Sequence, residues 1–417
     1  MSKIKIKNFG PIKEGFKETL LDGTVNEWME VKKVTVLIGN QGSGKSTVAK
    51  LIAAFMWLEK AMIRGDVNAN VSADDFVEML AYHRMEDYLQ KDSLLEYEGD
   101  IYKISLQSAG GQGKRSIAGK KYDQRAISLP KIMYVPSERN FLSAIKDTNK
   151  ISNLLAGSLS EFAVEYRRAQ LDSKGQPLDL PINKAKIRYD DDKDEVILTV
   201  NDKPLKLSSA ASGFHSIVPL YWVSKNLVNF IQKDEKTLLQ TLSTDQKLRL
   251  ERELTQLKLE GISKTESKKK QSQVNSRYIC RHFVNIVEEP EQNLFPTSQQ
   301  KILNSLLAFN NMNANNKLIM TTHSPYLINY LTLAVEAYGL KDKLKSIELE
   351  DKLKDIVPLA STIKPGDLVI YELDEEDGTI KLLENYKGLP SDENKLNHEL
   401  GEGNEAFAKL LEIEQKL

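Results

Sequence analysis

The chain carries one cysteine, Cys280, in 417 residues, which excludes a disulfide framework and any CxxC metal site. It lacks an uninterrupted apolar run of about 18 residues, so no segment meets the length criterion for a membrane span. A dominant charge sign is missing too. The formal net charge of -1 argues against a globally basic nucleic-acid binder, though a local patch stays open. The opening "MSKIKIKNFG" alternates charge and hydrophobe and does not read as a signal peptide. No internal repeat is visible. A cytoplasmic protein is expected. What the chain does contain, 41% hydrophobic and 28% charged residues, is too apolar for a disordered polymer. Its length exceeds what one core usually serves, so two lobes or domains are expected.

Ile4 and Ile6 alternate with Lys3, Lys5 and Lys7, a half-buried strand. "VTVLIG" is a continuous β-branched run suited to a strand buried on both faces, and an apolar helix follows the glycine-rich loop after it. Residues 94 to 130 read as further strands around a basic, glycine-rich loop, and Lys131 to Asn140 as a short buried strand ended by Pro136. "AKIRYDDDKDEVILTV" predicts two strands joined by an acidic turn, and "LSSAASGFHSIVPLYWVSKNLVNFI" an apolar helix. A polar insertion spans 234–281. Ser243 and Gln246 make a capping box there, Gly261 is a plausible stop, and "SKTESKKKQSQ" reads as a mobile loop. Further on come an acidic strand, a helix (Ser298 to Phe309), the strand "KLIMTTHSP", a hairpin around "EEDG" and a terminal helix near Asn404 to Gln415.

Three motifs carry chemistry. Gly39 and Gly44-Lys45-Ser46 match GxxxxGK[ST] between a predicted strand and helix, the context that confirms a phosphate loop. Backbone N–H groups of Gly39, Asn40, Gln41, Gly42, Ser43 and Gly44 would close around phosphates. Lys45 would reach the β- and γ-phosphates of ATP, Ser46 would ligate Mg²⁺, and Thr47 is a candidate for the α-phosphate. In "FVNIVEEPEQNLFP" an apolar strand ends in adjacent carboxylates, Glu288 and Glu289. Successive strand residues face opposite ways, so only a turning strand end can direct both at one site, one toward Mg²⁺ and one toward the attacking water. In "LIMTTHSP" a strand delivers His323, whose neutral imidazole could accept from water or donate to a γ-phosphate oxygen.

Together with "SAASGFHS", the order of these motifs resembles the ABC-type ATPases. More narrowly it looks like the AAA-15/AAA-21 ATPases related to the OLD nucleases and RecF, over most of residues 1–330. "IKIKNFGPIKEG" and "YVPSERN" also look like that group. The resemblance implies an α/β fold: an ABC-type head with a RecA-like mixed sheet core, an N-terminal antiparallel β subdomain and a helical signature lobe. It implies that Glu288 serves Mg²⁺, that Glu289 is the general base, and that His323 is a switch histidine. It implies that Ser212 and Gly213 of "ASGFH" complete the ATP site of an opposite subunit in a head-to-head homo-oligomer. Phe214 and His215 depart from the usual signature glycine and glutamine, and Glu288 from the more usual aspartate. Glu138 and Arg139 fit either a nucleotide-sensing position or a structural ion pair.

Residues 331–417 form an expected C-terminal extension, short for the Toprim nuclease domain that OLD proteins carry. "ELDEEDG" is read as a turn between two strands. Long coiled coils are excluded, because the stretch between Arg139 and Gly213 is short and reads largely as strands. The leading expectation is an ATPase of bacterial anti-phage defence, resembling the ATPase subunit of the PARIS system. It would answer a phage trigger protein and control a separately encoded, Toprim-like nuclease. One alternative is a RecF-like DNA-maintenance ATPase using Lys114, Arg115, Lys120 and Lys121, or Lys264, Lys268, Lys269 and Lys270, against a phosphate backbone, although a solvated charged loop is the commoner outcome. Another is a nucleotide-binding scaffold that hydrolyses little.

Overall fold

The computed structural model describes residues 2–67, 73–109, 114–121, 128–144, 155, 157–259 and 264–415. The buried run Val34–Gly39 lies in the middle of a seven-stranded sheet. Strand order is Leu129–Val135, Cys280–Glu288, Lys317–Thr321, Val34–Gly39, Leu368–Leu373, Thr379–Leu382, Gly15–Phe16. The first five run parallel, the sixth antiparallel to the fifth, and the short seventh parallel to the sixth.

Alternation of side chains splits each central strand between two layers. Val34, Val36 and Ile38 enter a core shared with helices Gly157–Asp172, Ser212–Ile231, Pro296–Asn311 and Pro325–Lys341. Leu37 faces the other way, into a core built from helix Lys45–Arg64 and the N-terminal strands. Each fully buried aliphatic side chain contributes roughly 1.5–3 kcal/mol, so the strand needs both layers to hold it. The expected α/β class, with a mixed sheet core, an antiparallel N-terminal sheet and a helical lobe, is what the chain adopts.

The N-terminal sheet has the order Met29–Val31, Ser2–Phe9, Leu89–Glu98, Tyr102–Ala109, Lys114–Lys121. Its period-two pattern works as read: Ile4 and Ile6 are buried while Lys3 and Lys5 pair with Glu98 at 3.4 Å and Glu27 at 2.5 Å. The acidic turn also holds, joining Lys186–Asp190 to Glu195–Val200 in a four-stranded sheet.

Five expectations differ from the fold. Lys114, Arg115, Lys120 and Lys121 lie on a strand paired with Tyr102–Ala109 rather than in a loop. Residues 264–276 form a helix, so Lys268, Lys269 and Lys270 lie on a helix rather than in a mobile segment. Its Lys, Gln and Glu residues are adequate helix formers, and Val274 with Tyr278 docks it on Leu242 and Leu250. The expected stop at Gly261 lies outside the described residues. Between Arg139 and Gly213 the chain builds a 16-residue helix, Gly157–Asp172, as well as strands. Finally, the boundary expected at residue 330 falls inside helix Pro325–Lys341, and Leu368–Leu373 pairs directly with Val34–Gly39. The C-terminal segment therefore belongs to the central sheet. "EEDG" does form the hairpin turn, and the last helix starts earlier than expected, at Lys395, capped by the Asn394 side chain.

Candidate active site

The phosphate loop leaves the central strand at Gly39, where φ is 142° and a Cβ would meet the Leu373 carbonyl oxygen at 2.3 Å. Only glycine allows that exit beside a paired neighbour. Gly44 then caps helix Lys45–Arg64 in the left-handed region, with φ 96°. The unpaired N–H groups of the helix's first turn add donors and a positive field to the loop. Asn40, Gln41, Gly42 and Ser46 are exposed, while Ser43 and Thr47 are buried. Lys45 Nζ donates to the carbonyls of Gly39 at 2.9 Å and Asn40 at 2.7 Å. Burial pulls its pKa down to about 8, opposed by Glu289, Glu291, Glu375 and Glu288.

Strand Cys280–Glu288 ends beside Thr321 in register. The backbone then turns at Glu289, whose φ of 43° costs a residue with a Cβ roughly 1–2 kcal/mol. The Glu289 N–H is tied to the Thr321 carbonyl at 3.0 Å. This is the turning strand end that two adjacent carboxylates require. Glu288 is buried, its Oε1 accepting from the Tyr134 hydroxyl at 2.5 Å and its Oε2 from the Ser137 N–H at 3.0 Å. Glu289 is half-exposed, 3.8 Å from His323 Nε2. Burial, then the Lys45 charge, lowers the His323 pKa below the ordinary imidazole value, so the ring is neutral at pH 7. Lys45, Glu288, Glu289 and His323 thus gather at the C-terminal edge of three adjacent parallel strands.

Mg²⁺ takes hard oxygen donors and keeps several waters. The Ser46 hydroxyl and the Glu288 carboxylate suit it, because each Glu288 oxygen carries one hydrogen bond and keeps a further lone pair. Among the described residues no group of three His, Cys, Asp or Glu side chains could hold a metal by itself.

Ser212 and Gly213 open helix Ser212–Ile231, with Ser212 exposed. Gly213 packs on the loop after the acidic strand: a Cβ there would meet the Asn293 carbonyl at 2.9 Å. Asn293 Nδ2 also donates to Ser216 Oγ at 3.0 Å. Among the described residues Ser212 makes no hydrogen bond to the phosphate loop of its own chain. His215 turns inward, its Nε2 donating to the Leu207 carbonyl at 2.8 Å.

Several site residues escaped the sequence reading. Glu291 lies within the quoted acidic motif, yet only the first two glutamates were assigned. Its Oε1 accepts from Thr322 Oγ1 at 2.7 Å and the His323 N–H at 2.8 Å. Its Oε2 is buried without a partner among the described residues, and burial raises its pKa. Arg139 is bound to backbone carbonyls rather than to the expected ion-pair partner Glu138. It is fully buried and donates to four carbonyls: Ser216 and Pro136 at 3.1 Å, Glu288 and Glu289 at 2.6 Å. Burial pulls it down to about 10, still charged at pH 7. Glu138, its expected partner, is exposed and accepts from Ser137 Oγ. Glu375 of the hairpin turn accepts from Asn40 Nδ2 at 3.0 Å and from Lys395 Nζ at 2.7 Å. It links the start of the last helix to the phosphate loop.

No protein-family model and no curated protein sequence matches the chain. Solved structures do. An SMC head domain from Thermotoga maritima is 10% identical with a TM-score of 0.37, covering 92% of this chain and 98% of its own. An SMC head bound to the C-terminal winged-helix domain of ScpA is 11% identical with a TM-score of 0.40, over 91% and 95%. A dimeric ATP-binding cassette in a post-hydrolysis state with ADP and Pi is 12% identical with a TM-score of 0.31, over 93% and 100%. These likenesses are weak, and the site stands on its own residues. Among the described residues no helix is long and apolar enough to cross a membrane.

Proposed function

We propose that the chain is an ABC-type ATPase that binds ATP with Mg²⁺, hydrolyses it, and pairs head to head with a second copy. The observation that carries this is the convergence of Lys45, the Glu288–Glu289 pair and His323 on one sheet edge beside the phosphate loop. Lys45, lodged on loop carbonyls, exchanges them for β- and γ-phosphate oxygens. Mg²⁺, held by Ser46 and Glu288, would neutralise charge on those oxygens. Glu289, half-exposed and turned off the strand, takes the proton of the attacking water. His323, neutral, donates to a γ-phosphate oxygen. Ser212 and Gly213 of the second copy close the site from outside, which accords with the exposure of Ser212.

The same reading assigns the ATPase to bacterial anti-phage defence, where it answers a phage trigger and controls a separately encoded, Toprim-like nuclease. The resemblance of its motifs supports this, as does the hairpin-turn geometry of the acidic cluster "ELDEEDG". Glu289→Gln tests the core of the proposal. Turnover should fall about 10²–10⁴-fold while ATP binding persists and drives a dimer visible by native mass measurement. Unchanged turnover would sink the assignment. Co-expression with the neighbouring gene product tests the effector, and failure to recover a complex counts against the defence role.

A further inference from the structure

Between helices Lys45–Arg64, Ala73–Tyr82 and Gly157–Asp172 and strand Leu129–Val135 lies a cavity of about 910 Å³, a size that suits a small organic molecule. Ala53, Ala54 and Phe76 are buried in its wall, and Trp57 lines it while half-exposed. Polar groups gather on one side. The Tyr82 and His83 rings meet edge to face with centroids 4.9 Å apart, and Tyr82 Oη donates to Glu161 Oε2 at 2.5 Å. His83 is 6% exposed, and its Nδ1 is buried with no hydrogen-bond partner among the described residues. A native structure seldom leaves such an atom unpaired. The charged side chains of the wall are Asp66, Glu78 and Glu161, with no lysine or arginine among the described residues. Arg249 engages Asp66 at 3.0 Å. Glu78 and Glu161 are exposed and form an acidic rim.

Burial above all, then the Lys50 charge, lowers the His83 pKa to about 4, so the ring is neutral at pH 7 and keeps a lone pair to offer. A flat apolar body would displace water from the aromatic and aliphatic wall. A cationic head would gain the faces of Trp57 and Tyr82 and the charge of Glu161, and its N–H groups would supply the donor that His83 lacks. An anionic head would meet the rim carboxylates as like charge.

We propose that this cavity binds a primary amine with a flat apolar body, its ammonium held at Glu161 and His83 and its body against Trp57 and Phe76. The site is distinct from the phosphate loop yet adjoins the metal-side carboxylate. Tyr134 lines the cavity and donates its hydroxyl to Glu288, so an occupant lies against the side chain that supports Glu288. That consequence for Mg²⁺ rests on the ATPase reading; amine binding does not.

The test titrates the full chain at pH 7 with three probes of similar size: naphthylmethylamine, naphthylmethanol and naphthylacetate. By calorimetry the amine should bind most tightly, the alcohol about three- to tenfold more weakly, and the carboxylate more weakly still. Glu161→Gln should cost the amine about two- to fivefold, the size of one exposed charge contact, and leave the alcohol unchanged. Trp57→Ala should weaken both. No amine binding, carboxylate binding as tight as the amine's, or amine binding that both variants leave unchanged overturns the proposal. If either variant misfolds, tryptophan oxidation of the unaltered chain, mapped by peptide mass, decides. Protection of Trp57 by the amine supports the site, and equal oxidation with and without it overturns it. No readout involves nucleotide, so failure here and failure of the ATPase assignment are told apart.

Discussion

Glu291 holds the backbone of His323: its Oε1 accepts the His323 N–H at 2.8 Å and, at the same time, the Thr322 hydroxyl at 2.7 Å. The loop after one strand thereby ties down the end of the next, and the backbone that carries the imidazole is held by a carboxylate outside the Glu288–Glu289 pair.

Glu291→Ala should leave two buried donors unpaired, at about 1–3 kcal/mol. We expect a lower urea midpoint and slower ATP turnover with nucleotide affinity nearly unchanged. If the Michaelis constant moves and the turnover number does not, Glu291 is not positioning His323.

Arg139 predicts a larger stability effect. Its guanidinium satisfies four carbonyls on three segments of the chain, a fork that a lysine ammonium cannot reproduce. Arg139→Met should cost at least about 3 kcal/mol and Arg139→Lys should rescue little of it, both read by chemical denaturation. Rescue by lysine to wild-type stability would show that the charge alone matters.

Lys45 gives a pH dependence. Its pKa in the free protein is about 8, against the ordinary 10.5 of a lysine. The unfolded chain binds the extra proton between those values, so this group's penalty on folding is full below pH about 8 and is relieved as pH rises toward 10.5. Phosphates drawn to Lys45 raise its pKa, so ATP binding near pH 9 should take up close to one proton, and near pH 7 very little. The measurement is the dependence of calorimetric binding enthalpy on buffer ionisation enthalpy at both pH values. Equal proton uptake at the two would contradict a depressed Lys45.

Glu375 couples the last helix to the loop. It is about a quarter exposed, as is Lys395, so its pairings are partly screened. Glu375→Ala should raise the Michaelis constant for ATP about two- to fivefold, with a smaller effect from Lys395→Ala and with both effects shrinking at high salt. No change in either variant would leave the contact without a role at the loop.

The site was legible where chemistry imposes a local pattern. Glycine spacing marks the loop because backbone geometry at Gly39 forbids a Cβ, and the double glutamate needs a turn at Glu289 that the strand end supplies. Glu291 was missed because its partners come from the next strand, thirty residues on. Arg139 was misjudged because a buried guanidinium can satisfy carbonyls as readily as carboxylates. Helix 264–276 has almost no apolar periodicity and is held by Val274 and by Asn275 donating to Glu235 at 2.7 Å. The pairing of Leu368–Leu373 with Val34–Gly39 is non-local, and nothing in either stretch announces it.

That pairing has a consequence for the chain as it is made. The strand carrying the loop is synthesised well before both its neighbours, Lys317–Thr321 and Leu368–Leu373. Until then its two edges lack their partners and can pair with other chains. A nascent chain stalled before Leu368 would display a glycine-rich loop and helix without the strand that Gly39 is shaped to pass, so competence to bind nucleotide waits on a strand made long after the loop itself.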